Sequence, residues 1–229
     1  MSFHEQLAVA TSSGREYLLS VPVIADALRG RITRELYLAF LTQAYHHVRH
    51  TVPLIMAVGS RLPDRLAWLR SDVMHYLEEE TGHDEWILND IEASGGDRAR
   101  AAASQPSVAT DAMVAYAYDM VFRRNPVGFF GMVHVLEGTS AAIALEAADA
   151  IASCLQLPTR AFSYLRSHGQ LDREHTKDLA RILDRLECAE DRDAVLQCAR
   201  AEYWLYGNVF RTLVPVGALD QVELQRKIA

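Results

Sequence analysis

The chain has 229 residues, half of them apolar and 23% charged, which suits one sizeable hydrophobic core and excludes wholesale disorder. A formal charge of -7 argues against a basic face that grips duplex nucleic acid. Cys154, Cys188 and Cys198 are widely spaced and form no disulfide framework, no basic leader opens the sequence, and no run of eighteen uninterrupted apolar residues occurs. A cytoplasmic protein without a spanning helix is therefore expected.

The first convincing helix starts at Thr33, a good N-cap, and carries Leu36, Phe40, Tyr45, Val48 and Val52 toward one broad side, with Pro53 as a late kink. After Leu62-Pro63, Asp64 caps a second long helix through Trp68, Val73, Leu77, Trp86 and Ile91, which Ser94-Gly95-Gly96-Asp97 stops. The small and polar stretch from Ala99 to Pro106 reads as a loop or helical fragment. Thr110 then caps a helix bearing Met113, Val114, Tyr118, Val121 and Phe122.

Asn125-Pro126 marks a junction, and Val127 to Leu155 forms a very long helix whose alanines raise helix propensity and permit close packing. Leu157-Pro158 ends it. A short helix around Phe162 to Arg166 leads into a His168 to Leu186 region with a bend at Gly169, and a last helix runs from about Arg192 to Leu213, before Pro215 and Gly217. Without hairpin signals or internal repeats, residues 1–229 read as a single all-α domain, a compact bundle.

The sharpest chemical signal is His168-xxx-Asp172-xx-His175. The two histidines are separated by about 700° of rotation at ~100° per residue, within about 20° of the same direction, and Asp172 lies one turn from each. Two imidazoles and a carboxylate on one helical face suit a transition metal. On the second helix Glu80 and His83 form an i,i+3 pair, with Glu79 and His83 as the competing i,i+4 pair. Glu137 sits among Val133, Leu136, Gly138 and Ala141, where a carboxylate is costly unless paired or ligated.

In that order of motifs the chain resembles the haem-oxygenase-like superfamily that includes TenA and PqqC proteins, and within it the non-haem dinuclear iron oxidases and oxygenases. The resemblance spans roughly Val21 through Leu213. It implies an all-α bundle of about seven helices around a central cavity. It also implies that Glu80, His83, Glu137, His168, Asp172 and His175 ligate two Fe(II) ions, with Glu137 as the bridging carboxylate. Dioxygen would be the cosubstrate and a small organic molecule the substrate, in a homodimer that could draw on an electron donor. Some members of the branch place the first glutamate two turns before the histidine. Tyr76 holds that position here, so Glu79, Glu80 or neither completes the site.

Around this set, His46 and His50 share a face of the first helix beside Tyr45 and His47, and offer a further ligand, a proton relay or a substrate contact. Tyr116, Tyr203 and Tyr206 are candidates to line the cavity, with Tyr116 and Glu202 as candidate catalytic groups on the substrate side. The superfamily also raises a TenA-like thiaminase or hydrolase, whose cysteine nucleophile has no convincing counterpart among the three cysteines. A non-catalytic small-molecule-binding or regulatory protein is the third reading.

Overall fold

A computed structural model describes residues 1–213, the side chains of Gln170, Arg173 and Glu174 excepted. Among the described residues the chain is all α-helix, with short 3-10 and π turns and no strand. It begins with three short helices, α1 (Phe3–Ala10), α2 (Ser12–Leu19) and α3 (Pro22–Leu28). At seven or eight residues each they are too short to show a repeated apolar period. Ser2 and Glu5 form a reciprocal capping box on α1, and Pro22 opens α3 at the position where a missing amide hydrogen costs nothing.

Helix α4 (Arg34–Val48) starts where expected, with the Thr33 hydroxyl accepting from the Leu36 amide at 3.2 Å. It does not continue to a kink at Pro53. The chain breaks at Arg49 and His50, and α5 (Thr51–Arg61) begins there. Pro53 thus lies in the first turn of α5, where amides have no intrahelical partner to lose.

The expected long helix from Asp64 is also divided. A 3-10 turn, Asp64–Leu69, precedes α6 (Arg70–Glu80) and α7 (His83–Ala93). Between the last two, Gly82 adopts φ 93°, a left-handed conformation that a side chain disfavours, and it redirects the backbone between Glu80 and His83.

Helix α8 (Arg98–Ala103) is capped by Asp97, which accepts from the Arg100 amide at 2.9 Å. Ser107, not Thr110, caps α9 (Val108–Asp119), and Thr110 supplies the amide that Ser107 accepts at 3.2 Å. A π turn, Met120–Arg124, leads to α10 (Phe129–Leu155). Then follow α11 (Ser163–Asp184) and α12 (Ala189–Arg211). Pro215 and Gly217, where the sequence ends the last helix, lie outside the described residues. Among the described residues twelve α-helical segments therefore stand where about seven were expected, because two long helices are divided at turns and the short N-terminal helices carry no periodic signal.

Helix α10 is the axis of the bundle and packs along both α11 and α12. It contributes Phe130, Val133 and Val135 to one buried apolar cluster, and Ala144, Ala148 and Ile151 to a second. Glu137 falls between these two groups. Burying a side chain such as Phe130 contributes about 1.5–3 kcal/mol, so the axis is held from both ends. The run Pro126–Leu155 is long and apolar enough to cross a membrane by length and composition, yet 67% of its most apolar window is buried inside the bundle. No bend occurs at Gly169. A Cβ there would stand 2.7 Å from Leu145 Cγ, so the glycine serves close approach of α11 to α10.

The start of α11 is fixed from a distance. Asp90, buried on α7, accepts from the amides of Ser163 at 3.0 Å and Tyr164 at 2.8 Å and from the Ser163 hydroxyl. This is a helix cap supplied by another helix, and it ties the register of α7 to that of α11.

Candidate metal centre

Four helices bring the expected ligands together. Glu80 ends α6, His83 begins α7, Glu137 lies mid-way along α10, and His168, Asp172 and His175 share one face of α11. Two groups of three residues have donor atoms all within 4.8 Å of one another: Glu80, His83 and His168, and Glu80, Glu137 and His175. Glu80 is common to both. The resemblance implies Glu137 as the bridging carboxylate, and it is Glu80, at the end of α6, that takes part in both groups.

The carboxylate-histidine alternatives separate cleanly. Glu80 Oε2 meets His83 Nδ1 at 3.1 Å despite the helix break. Glu79 turns to another partner, with Oε2 at 3.2 Å from His175 Nε2 and Oε1 at 3.3 Å from His75 Nε2. Tyr76 belongs to the same constellation, its hydroxyl donating to Glu137 Oε2 at 3.2 Å. Asp172 is in neither triad, but Oδ1 is 3.4 Å from His175 Nδ1 and the residue lines the same cavity.

Hydrogen bonding fixes one tautomer. His168 Nδ1 lies 3.0 Å from the Tyr164 carbonyl, which can only accept, so Nδ1 carries the proton and Nε2 is left for a metal. Among the described residues neither ring nitrogen of His175 has an aligned hydrogen-bond partner, and neither does either oxygen of Asp172. Asp172 is 1% exposed. Buried polar atoms of this kind are expensive unless something completes them. Carboxylate oxygens with imidazole nitrogens are a donor set that suits a divalent first-row transition metal, so the residues present fit the ion that the resemblance implies.

The electrostatics agree. Burial, then the neighbouring Asp172 and Glu80, push Glu137 well above the usual carboxylate range. Burial also works to raise Glu80, but the hydrogen bond and charge of His83, with His168 and His175 beyond, leave it below its ordinary value. Burial lowers His168 against the pull of Asp172 and Glu80. It opposes protonation of His175 as well, yet Asp172, Glu79 and Glu80 carry that imidazole above its ordinary value. Three carboxylates so close together are a standing demand for positive charge.

The surrounding candidates are distributed differently. Because α4 ends at Val48, His46 and His50 are not on one helical face: His46 pairs with the Ser104 hydroxyl at 2.8 Å, and His50 with Tyr118 at 3.1 Å. His47 and Tyr206 line the cavity of the candidate ligands. Tyr116 and Glu202 are not among the residues lining the two cavities at the centre. Glu202 is fully buried, without a hydrogen-bond partner among the described residues, and burial pushes its carboxyl up to about 8. Tyr203 packs its ring against His134, which burial holds at about 4. None of the three cysteines lines either cavity; Cys198 is buried in the core, where burial pushes its thiol well up, as expected of an inert thiol.

Two residues that sequence reasoning missed are Asp90, as a cap, and Glu79, as the partner of His175. Asp90 left a trace in the sequence, an acidic residue among Ile87, Leu88 and Ile91, two turns after His83 on the same side of the helix. Glu79 left none beyond its adjacency to Glu80.

No curated protein matches the chain significantly. Among solved structures, a domain of unknown function with a heme oxygenase-like fold from Shewanella denitrificans superposes with a TM-score of 0.82 at 24% identity, over 100% of this chain and 97% of that one. A TenA homologue from Pyrococcus horikoshii gives 0.77 at 11% identity, over 93% and 98%. The heme oxygenase from Leptospira interrogans gives 0.75 at 18% identity, over 92% and 98%. At these identities the likeness establishes a haem-oxygenase-like fold. Residues 38–207, well over half of the chain, match the model of a family described as iron-containing redox enzymes, and the chain belongs to that family.

Proposed function

We propose that the protein is an iron-dependent oxidase or oxygenase that uses dioxygen on a small organic substrate at a dinuclear non-haem site. The observation that carries this reading is the pair of overlapping donor triads that share Glu80. In it, Glu80, His83, Glu137, His168, Asp172 and His175 would hold the metal, with Glu80 within reach of both donor groups. When bound, ferrous iron supplies the electrons for reduction of dioxygen and the oxidising power to remove hydrogen from a substrate.

The chain's own residues do the rest. The Tyr164 carbonyl keeps the proton on His168 Nδ1, so that Nε2 is always the free donor. Tyr76 donates to Glu137 Oε2 and leaves Oε1 facing His175 Nδ1 at 3.7 Å. Phe129, Met132 and Val133 give the cavity an apolar wall, whose low polarity strengthens charge interactions beside it. An external electron donor would restore the reduced state when the substrate supplies too few electrons.

The test is anaerobic reconstitution with iron, metal counting, and spectroscopy before and after exposure to dioxygen. About two irons per chain are expected, with an oxygen-dependent signal, and both should be lost in His168→Ala and His175→Ala. Tight binding with neither the stoichiometry nor the oxygen-dependent signal would count against the proposal.

A further inference from the structure

Two cavities adjoin at the candidate centre. One is lined by Glu80, Glu137, His168 and Asp172 and by His47. The other runs between α3, α4, α10 and α12 and is walled by residues such as Ile24, Leu36, Phe40, Ile143 and Ile151. Ser140, Tyr164, His168 and Tyr206 line both, so the apolar chamber opens beside a candidate ligand. Among the described residues, no lysine or arginine lines either chamber.

In the larger chamber two of the polar side chains are occupied, and the Ser140 hydroxyl, shared with the smaller chamber, has no hydrogen-bond partner among the described residues. The Tyr37 hydroxyl donates to the Ala161 carbonyl at 2.8 Å and the Thr139 hydroxyl to the Val135 carbonyl at 2.6 Å. What remains is hydrocarbon wall, suited to an aliphatic or alicyclic body and unable to satisfy a charge.

His47 in the smaller chamber is different. Its Nδ1 donates to the Gln43 carbonyl at 3.0 Å, which leaves the lone pair on Nε2. No protein group among the described residues donates to that nitrogen, and it is not among the fully enclosed unpartnered atoms, so it has access to the cavity it lines. Burial, reinforced by nearby His168, holds the imidazole at about 4, so the ring is neutral near pH 7.

We propose that the paired chambers select an elongated, uncharged, hydrophobic alcohol, with its hydrocarbon body in the apolar chamber and its hydroxyl donating to His47 Nε2 beside the candidate ligands. This rests on the oxidase reading for its chemistry but not for its binding. A carboxylate would find no cation among the described residues of either wall, and at His47 an acceptor where it needs a donor. A neutral hydroxyl donates to His47 Nε2 and leaves no buried charge.

The test uses the full-length, metal-free protein and three probes of similar length: 1-decanol, 1-methoxynonane and decanoate. Binding is measured by calorimetry and by shift of the melting temperature. The alcohol should bind about tenfold more tightly than the ether, which has the oxygen but no donor, and more tightly than decanoate. His47→Leu should erase the preference for alcohol over ether, and Ala147→Phe, which fills the apolar chamber, should weaken both. Equal affinities for alcohol and ether, or decanoate binding best, would overturn the proposal without any variant having to fold. Iron counting is independent of these readings: probe binding with no iron uptake sinks the oxidase assignment alone, and two irons without alcohol preference sinks this inference alone.

Discussion

Glu79 Oε2 stands 3.2 Å from the Nε2 of His175, and the other oxygen of the same carboxylate stands 3.3 Å from Nε2 of His75, which is well exposed. A carboxylate this close favours the protonated imidazole, although the two are not aligned as a hydrogen bond. With Glu79 on the Nε2 side, Nδ1 of His175 faces Glu137 and Asp172.

Removing that support should loosen the site without emptying it. Glu79→Ala is expected to weaken metal binding by about 10- to 100-fold while leaving the stoichiometry unchanged. A chelator-competition titration with Fe(II) or Co(II) reads this directly. An unchanged affinity would show that Glu79 is only a surface carboxylate near a histidine.

Glu137 should act in opposite directions with and without metal. Buried near Asp172 and Glu80, its carboxyl sits well above the ordinary range, so the metal-free protein must either take up a proton there or hold an uncompensated charge. Glu137→Gln should stabilise the metal-free protein by about 1–3 kcal/mol and abolish much of the stabilisation that metal confers on the parent chain. Urea unfolding with and without Co(II) separates the two effects, and a variant that is less stable without metal would contradict this account.

Asp90 holds the start of α11 through two backbone amides and the Ser163 hydroxyl. Asp90→Ala should cost about 2 kcal/mol. Because the cap sets α11 against α7, it should also weaken metal binding even though Asp90 is not among the candidate ligands. Chemical denaturation combined with the same titration checks both halves. Loss of stability with no change in metal affinity would confine Asp90 to capping.

Glu202 gives the chain a pH dependence of unusual sign. Its carboxyl is raised by burial to about 8, so between the ordinary carboxylate value and 8 the folded state keeps a proton that the unfolded state has lost. Stability from this group is then fully present at pH below about 4.5, falls as pH rises, and is lost above about 8, a total on the order of 5 kcal/mol. Glu202→Gln should flatten that slope, so the variant gains on the parent as pH increases. Unfolding free energies at three pH values across the window test it, and parallel curves for the two proteins would show that Glu202 does not titrate there.

The sequence by itself determined the parts that depend on local periodicity. The His168-Asp172-His175 face is legible because helix geometry alone sets those directions. The long α10 is legible from its unbroken small and apolar run, and the α4 cap from Thr33. The tertiary structure decided how those parts meet. Gly82 divides the helix between Glu80 and His83, and only the fold shows that the two side chains still touch across the break. The assignment of Glu80 to both donor groups and of Glu79 to the back of His175 rests on side chains one residue apart pointing about 100° from each other. A sequence places that difference but cannot say which direction faces inward. Asp90 at the head of α11, 73 residues away, and the apolar chamber beside His168 arise from packing among helices distant in the chain, where no local pattern carries the information.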